Sequence, residues 1–166
     1  MRWNLSSPFS SLDKNREQIQ SFNQQFFGLA QVTTLPGGSK TQLAFECLSY
    51  SLQADPPDPS PYFIFISDLG MVYPPALQAL AIPLSRILLV KTPNADSVWK
   101  TTLEALQTGL FSFIFLRPSG LCSTQFLRKL QLSTEKAHAK VFILSDLKLP
   151  HWNLRASLIA KAPTAS

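Results

Sequence analysis

Four continuous apolar runs dominate the second half of the chain. They read YFIFI at 62–66, ILLV at 87–90, FIFL at 113–116 and VFIL at 141–144. Apolar runs without polar alternation are typical of strands that are buried on both faces, as in a parallel sheet. An extended piece at 30–35 predicts one more strand ahead of them, and the alternating pattern NLRASLI at 153–159 predicts a strand at a sheet edge.

Segments with helical periodicity separate these runs. The segments predicted as helices are about 13–27, a stretch that begins at Thr41 and stops before 53, Pro75–Leu80, Asp96–Gln107 and Gln125–Ala137. The prolines of 53–61 lack amide donors and favour extended backbone before them, so this stretch is predicted to be an exposed loop. The alternation of strands and helices predicts an α/β fold with right-handed crossovers, in which helices flank a doubly wound, mainly parallel sheet.

Length and composition limit how the chain is organised. The 166 residues predict one domain, divided into an N-terminal helical segment at 1–27, an α/β domain at 28–160 and a tail at 161–166. Hydrophobic residues make up 45%, which argues against a disordered chain. Charged residues make up only 15%, below the roughly 25% of an average domain. We therefore expect a surface that is sparse in charge or partly covered by another molecule.

The sequence gives no signal for export or membrane insertion. Polar residues interrupt every hydrophobic stretch before it reaches the ~20 residues of a membrane span. The N-terminus has no apolar core followed by a small-residue cleavage site. Two cysteines, Cys47 and Cys122, are too few for a disulfide framework or a zinc cluster. We expect a cytoplasmic protein that has no membrane partner.

Positive charge is concentrated in the last third of the chain. Residues 117–166 contain eight basic and two acidic residues, whereas the net charge of the whole chain is +5. This distribution is typical of a surface that contacts DNA or an acidic partner, and equally of a solvated helix face. The residues kept as a candidate partner or DNA surface are Arg117, Arg128, Lys129, Lys136 and Lys140.

The segment PGGSKT at 36–41 lies between a predicted strand and a predicted helix. At this position an α/β fold presents backbone amides and a helix N-terminus to a phosphate group. Lys40 and Thr41 match the last two places of the phosphate loop G-x-x-x-x-G-K-[ST], but Thr34 and Ser39 replace its two glycines. The degenerate candidate site for ATP consists of Gly37, Gly38, Ser39, Lys40 and Thr41.

The ends of the predicted strands lack the acids that ATP hydrolysis requires. Phosphoryl transfer uses one carboxylate to hold magnesium and a second group to position water. The strand FSFIFL ends in Arg117, and Asp68 is the only acid directly after YFIFI. Neither His138 nor His151 has a partner acid at a spacing typical of catalysis. We therefore expect a protein that has no enzymatic activity, no metal site and no required cofactor.

Four short segments follow one another in a set order within about residues 28–160. They are VYPPAL at 72–77, LSRILLV at 84–90, EALQTG at 104–109 with Trp99 before it, and LRKLQL at 127–132. This order resembles the core of the RecA recombinase. It resembles more closely the RecA-fold family of the mutagenesis accessory protein ImuA and the cell-division inhibitor SulA. The resemblance implies a truncated, degenerate RecA-like domain of the P-loop type.

The same resemblance implies that catalysis has been lost. In an active recombinase, the acid that activates water would fall at Leu69 and the acid of the magnesium site at Arg117. Because both acids are missing, the resemblance implies a silent domain that is kept for its contacts with other proteins.

Three functions remain open on the sequence. The first is an ImuA-like accessory protein of the DNA-damage (SOS) response, which binds RecA or an error-prone polymerase complex in translesion synthesis. The phosphate-loop remnant and the basic last third fit this function. The second is a SulA-like cell-division inhibitor that binds FtsZ, which the short length fits. The third is a sensor that binds ATP through Lys40 and Thr41 without hydrolysing it.

Overall fold

A computed structural model describes residues 2–4, 28–34, 39–53, 62–147 and 156–160. Its strands are β1 (Arg2–Asn4), β2 (Gly28–Thr34), β3 (Tyr62–Ser67), β4 (Ile87–Lys91), β5 (Phe111–Arg117), β6 (Lys140–Leu144) and β7 (Ala156–Ala160). Its helices are α1 (Lys40–Gln53), α2 (Pro74–Ala79), α3 (Ala95–Thr108) and α4 (Thr124–Ala137), with a 3-10 turn at Leu84–Arg86. Within these described ranges, no helix is both long and apolar enough to cross a membrane.

The described strands form one sheet in the order β1-β7-β2-β6-β5-β3-β4. Every pair of neighbouring strands is parallel. The predicted α/β class, with helices flanking a parallel sheet, is therefore confirmed. Because all the strands run in the same direction, their last residues meet at one end of the sheet. We call this the carboxyl end; it includes Ser67 of β3, Arg117 of β5 and Leu144 of β6.

One face of the sheet is lined with phenylalanine. Side chains alternate across a strand, so every second residue of an apolar run lies on the same face. Helix α1 covers this face, where the Phe45 ring packs 5.8 Å from Phe65 and 4.7 Å from Phe115 between centroids. Leu77 of α2 belongs to the same cluster. The buried phenylalanines that the sheet contributes are Phe63, Phe65, Phe113, Phe115 and Phe142.

The opposite face is lined with aliphatic residues and is covered by α3 and α4. Trp99 of α3 and Leu127 and Leu130 of α4 are buried against it. The Trp99 Nε1–H also donates a hydrogen bond of 3.0 Å to the carbonyl oxygen of Gly120, which fastens α3 to the loop after β5. The buried aliphatic residues of the sheet on this face are Leu29, Ile64, Ile66, Ile114, Leu116, Val141 and Ile143.

The strand near the C-terminus differs from its prediction. The pattern at 153–159 predicts an edge strand, but β7 lies between β1 and β2. The edge position belongs instead to β1, which falls inside the 1–27 segment that the sequence predicts to be helical. Strand β1 has only three residues and therefore pairs with only part of the five-residue strand β7. The alternating sequence pattern of β7 does not distinguish such a partly paired strand from an edge strand. The helix predicted at 13–27, most of the predicted loop 53–61 and the tail 161–166 lie outside the described residues.

Strand β4 occupies the other edge of the sheet. Its only described strand partner is β3. All five of its residues are partly or fully exposed, and Leu88 is 50% exposed. The run ILLV is predicted to be buried on both faces, and this expectation is wrong for β4, because no described strand pairs with its outer side.

Two leucines of α4 allow a matched test of this packing. Leu130 is fully buried, whereas Leu132 is 59% exposed. We expect Leu130→Ala to lower the free energy of unfolding by about 2–5 kcal/mol, because the substitution leaves a cavity under α4. Leu132→Ala should change it by no more than about 0.5 kcal/mol. Urea unfolding followed by circular dichroism measures both, and equal effects would contradict the orientation of α4.

Candidate functional site

The carboxyl ends of the paired strands β3 and β5 lie side by side. Ser67 pairs with Arg117, and the Ser67 hydroxyl donates a hydrogen bond of 3.3 Å to the Arg117 carbonyl oxygen. The same hydroxyl oxygen accepts hydrogen bonds from the amides of Leu69 and Gly70 at 3.1 and 3.3 Å. Ser67 therefore holds the start of the loop after β3 against the last residue of β5.

A second link joins the loops that follow these two strands. The carboxylate of Asp68 accepts hydrogen bonds from the amide of Ser119, at 2.9 Å, and from the Ser119 hydroxyl. Asp68, the one acid that directly follows the YFIFI strand, is thus used to connect two loops. This pairing gives Asp68 a structural role at the carboxyl end.

Ser39 caps the N-terminus of α1. A full phosphate loop has glycine at this position. The Ser39 hydroxyl oxygen accepts a hydrogen bond of 3.2 Å from the amide of Gln42, as an N-cap residue does. The Ser39 carbonyl accepts a further hydrogen bond of 3.2 Å from the amide of Leu43. Serine at 39 is thus explained by helix capping. Gly37 and Gly38, the other loop residues of the ATP candidate, lie outside the described residues.

Lys40 forms an ion pair across the carboxyl end of the sheet. Its Nζ lies 2.7 Å from Oδ2 of Asp146, in the loop after β6. Gln31, a buried residue of β2, binds this loop through its side chain. The Gln31 side-chain amide donates hydrogen bonds of 2.9 Å to the carbonyl oxygens of Ser145 and Leu147. The lysine that would approach a phosphate therefore has a carboxylate as its neighbour.

A cavity of about 490 Å³ opens beside this ion pair, between α1 and α2 on the phenylalanine face. The two helices are joined at its far end, where the Ser49 hydroxyl donates a hydrogen bond of 2.6 Å to the Leu80 carbonyl. Aromatic and aliphatic residues predominate in its lining, and Arg117 lines it from the end of β5. The other lining residues are Ser39, Thr41, Gln42, Phe45, Phe65, Met71, Val72, Tyr73, Ala76, Leu77, Ala79 and Leu80.

Large apolar side chains are exposed in the loops at this end. Leu69, Met71 and Tyr73 follow β3 and are 55%, 40% and 71% exposed. Leu121 follows β5 and is 46% exposed, in the loop that Asp68 ties to the loop after β3. Large apolar side chains gathered on one part of a surface are typical of interaction sites. In the sequence, Leu69 stands out only as the place of a missing acid and Tyr73 only as part of VYPPAL, and neither is identified as part of an exposed apolar surface.

The five basic residues of the candidate surface lie in three separate places. Arg117 is half-buried in the cavity, whereas Arg128, Lys129 and Lys136 are exposed on α4. Lys140 is buried at the start of β6, and its Nζ lies 5.1 Å from the centroid of the Phe113 ring. Lys140 therefore belongs to the interior, because its ammonium group rests on an aromatic ring of the core. That the exposed residues of α4 contact a partner or DNA stays a prediction.

The histidine and cysteine residues that the structure describes are His138, Cys47 and Cys122. His138 ends α4 in the left-handed conformation, with φ of 51°, and His151 lies outside the described residues. Burial raises the pKa of the Cys47 thiol far above its ordinary value, and burial raises that of Cys122 to about 11. In the described part of the chain, no three His, Cys, Asp or Glu side chains come together as a metal site requires.

The comparisons with known proteins yield a structural likeness. No protein-family model matches the chain, and no curated protein matches it. The crystal structure of SulA from Pseudomonas aeruginosa is similar over 69% of this chain and 96% of that chain. The sequence identity is 16% and the TM-score is 0.48. At these values the likeness concerns the path of the chain and does not define a family.

Breaking the Lys40–Asp146 pair tests its role as a connection. Because the pair is partly exposed, we expect Asp146→Asn to lower the free energy of unfolding by about 0.5–1 kcal/mol in low salt, and less at 1 M salt. The matched control is Lys100→Gln, which breaks the exposed Lys100–Asp96 pair of α3, also 2.7 Å long, and leaves the acid in the first turn of the helix. Urea titrations measure both variants. Equal losses, or a loss independent of salt, would contradict the assignment.

The raised thiol pKa values predict slow alkylation. Because the Cys122 pKa is about 11, its reactive thiolate is scarce at pH 7, and its reaction rate should rise about tenfold per pH unit towards pH 11. Cys47 is fully buried and should react only after unfolding. Iodoacetamide labelling followed by mass spectrometry measures both rates. A Cys122 rate at pH 7 equal to that of free cysteine would contradict the expectation.

Proposed function

We propose that this chain is a non-catalytic, RecA-like accessory protein of the DNA-damage (SOS) response, and that it acts by protein–protein contact at the carboxyl end of its sheet. The observation that carries the proposal is the chemistry of that end. Leu69, which is exposed, and Arg117, which lines the cavity, stand where the resemblance to an active recombinase would place carboxylates, and Tyr73 is exposed in the same loop as Leu69. Such a surface suits a protein partner better than a magnesium nucleotide.

The contacts of Ser39 and Lys40 in the phosphate-loop remnant support a protein contact rather than nucleotide binding. Asp146 holds the ammonium group of Lys40 and would repel a phosphate brought to the same place. Ser39 already satisfies the amide of Gln42. A sensor that binds ATP without hydrolysis is a further candidate, which rests on Lys40 and Thr41. Saturable ATP binding that Lys40→Ala abolishes would favour it.

Two partner classes follow from the resemblance to the ImuA and SulA family. Our main proposal is an ImuA-like role, in which the chain binds RecA or an error-prone polymerase complex in translesion synthesis. The exposed Arg128 and Lys129 of α4 favour it, because a basic helix face suits a DNA-bound assembly. The alternative is a SulA-like inhibitor that binds FtsZ. The Lys40–Asp146 pair favours this alternative, because a lysine held in this way serves the fold without a nucleotide.

Co-elution separates these classes. The purified chain is mixed in low salt with RecA, the error-prone polymerase complex or FtsZ from its own cell, and each mixture is run on a size-exclusion column. Co-elution with RecA or the polymerase supports the ImuA-like role, and co-elution with FtsZ supports the SulA-like role. Co-elution with none of the three contradicts the proposed function.

Two exposed leucines at opposite ends of the sheet locate the contact. Leu69 is 55% exposed after β3, and Leu110 is 53% exposed before β5. We expect Leu69→Ser to weaken partner binding about tenfold or more, because it removes apolar surface at the carboxyl end. Leu110→Ser removes a similar area at the opposite end and should leave binding unchanged. Equal losses, or a loss with Leu110→Ser alone, would contradict the location.

A further inference from the structure

The cavity between α1 and α2 has the size of a ligand site. Its volume of about 490 Å³ falls within the roughly 300–1,000 Å³ that is typical of such sites. Its floor consists of Phe65 at the end of β3 and Phe45 of α1, and its far wall of Leu77 and Leu80. Phe45, Phe65 and Leu77 are almost fully buried. The apolar surface that an occupant would cover therefore belongs mainly to the exposed residues of the lining, which are Met71, Tyr73 and Ala76.

One side of this cavity carries a positive charge. Arg117 is half-buried in its wall, and no carboxylate of a described residue lies within ion-pairing distance of its guanidinium group. The other acids at the carboxyl end are engaged elsewhere, since Asp146 pairs with Lys40 and Asp68 with Ser119. A guanidinium group in an apolar setting favours a carboxylate, which it binds through two parallel hydrogen bonds.

Polar groups of α1 lie on the wall of the same cavity. Thr41 is half-buried there, and Gln42 lines the cavity while its side-chain amide donates a hydrogen bond of 3.0 Å to Glu46. These groups add hydrogen-bonding capacity next to Arg117. The cavity thus combines an apolar floor, one cation and a small number of polar atoms, which is the usual composition of a selective binding site.

The surface outside the cavity indicates what kind of molecule enters it. Met71 and Tyr73 line the cavity and are also exposed, so its apolar lining continues onto the loop that contains Leu69. A small molecule that fills the cavity would leave this loop uncovered. An extended protein segment covers both, by inserting one part into the cavity and laying the next residues along the loop.

We propose that the cavity binds an extended segment of a partner protein, whose acidic side chain pairs with Arg117 while a neighbouring large apolar side chain fills the space over Phe45 and Phe65. This inference rests on the proposed function, in which the carboxyl end of the sheet is a protein contact. It adds the residue that selects the partner and the chemistry that the partner must present. Arg117, which stands in place of a magnesium-site acid, thereby becomes a specificity-determining residue.

Two synthetic peptides test this chemistry on the full chain. The probe is acetyl-Gly-Phe-Glu-Leu-Gly-amide, and its matched control is acetyl-Gly-Phe-Gln-Leu-Gly-amide, which has the same shape without the charge. We expect the glutamate peptide to bind about tenfold or more tightly, because a charge-assisted hydrogen bond is lost in the control. Titrations followed by two-dimensional NMR should move the amide signals of 71–73, 76–80 and Arg117. Equal affinities, or shifts elsewhere, would overturn the proposal.

Variants of the chain complete the test. Arg117→Gln should reduce the affinity for the glutamate peptide to that for the glutamine peptide, and Arg117→Lys should retain part of the difference. Lys91→Gln removes a charge at the end of β4, outside the cavity, and should change neither affinity. Ala76 lies on the exposed side of α2 and lines the cavity. The larger side chain of Ala76→Leu should occupy part of the cavity and weaken the binding of both peptides. A uniform effect of Arg117→Gln on both peptides would overturn the proposal.

The same variants separate this inference from the proposed function. One outcome is that a protein partner co-elutes with the wild-type chain and equally well with Arg117→Gln and Ala76→Leu. That result supports the proposed function and contradicts the inference that the cavity selects the partner. If no partner co-elutes but the peptides discriminate as expected, the proposed function fails while the cavity chemistry holds. Amide spectra of each variant establish that it is folded before its affinity is measured.

Discussion

The central strands of this sheet have to be covered on both faces, and the rest of the architecture depends on how this is done. In β3 and β5, phenylalanine alternates with isoleucine or leucine, so one face becomes aromatic and the other aliphatic. The aliphatic face receives α3 and α4, which run alongside each other over it. The aromatic face receives α1 and α2, whose first turns approach the carboxyl end of the sheet.

This asymmetry determines where a cavity can form. The short helix α2 has six residues and buries only Leu77, so it covers less of the aromatic face than a helix of fourteen residues such as α1. The space that remains between the two helices lies over Phe65 and ends at Arg117. The loop after β3, which lines the cavity with Met71, Val72 and Tyr73, is fixed at its start by the Ser67 hydroxyl, whose oxygen accepts hydrogen bonds from the amides of Leu69 and Gly70.

The secondary structure could be predicted because its signals are local. The predicted helix Gln125–Ala137 and the observed α4 differ by one residue at the start, since Ser123 caps the helix there. The ion pair at the carboxyl end could not be predicted in this way, because 106 residues separate Lys40 from Asp146. The sequence indicates this ion pair only indirectly. Asp146 follows a strand predicted to be buried and parallel, and so lies at the same carboxyl end of the sheet as the first turn of α1. The cavity depends on the spacing of two helices, which no sequence pattern gives.

The position of Lys140 shows a second limit of prediction from sequence, which concerns where a charged side chain lies. From the sequence, Lys140 is placed on a candidate surface for a partner or DNA, yet this lysine lies over Phe113 and is buried. Its long apolar stem packs in the core, while its charge is stabilised by the ring. Charge counted along a sequence therefore overstates charge on a surface, and the basic last third is less basic outside than its composition implies.

Among the described strands none pairs with the outer side of β4, and this has a consequence for how the protein behaves in concentrated solution. An apolar edge strand with unpaired backbone groups is a template for strand pairing between molecules. Here the run ILLV is bounded by Arg86 and Lys91, and two copies that pair through it would bring four positive charges together. Their mutual repulsion opposes self-association at low ionic strength and is screened as salt is added. Arg86 and Lys91 are therefore expected to oppose pairing of two chains through β4, and to do so less as the salt concentration rises.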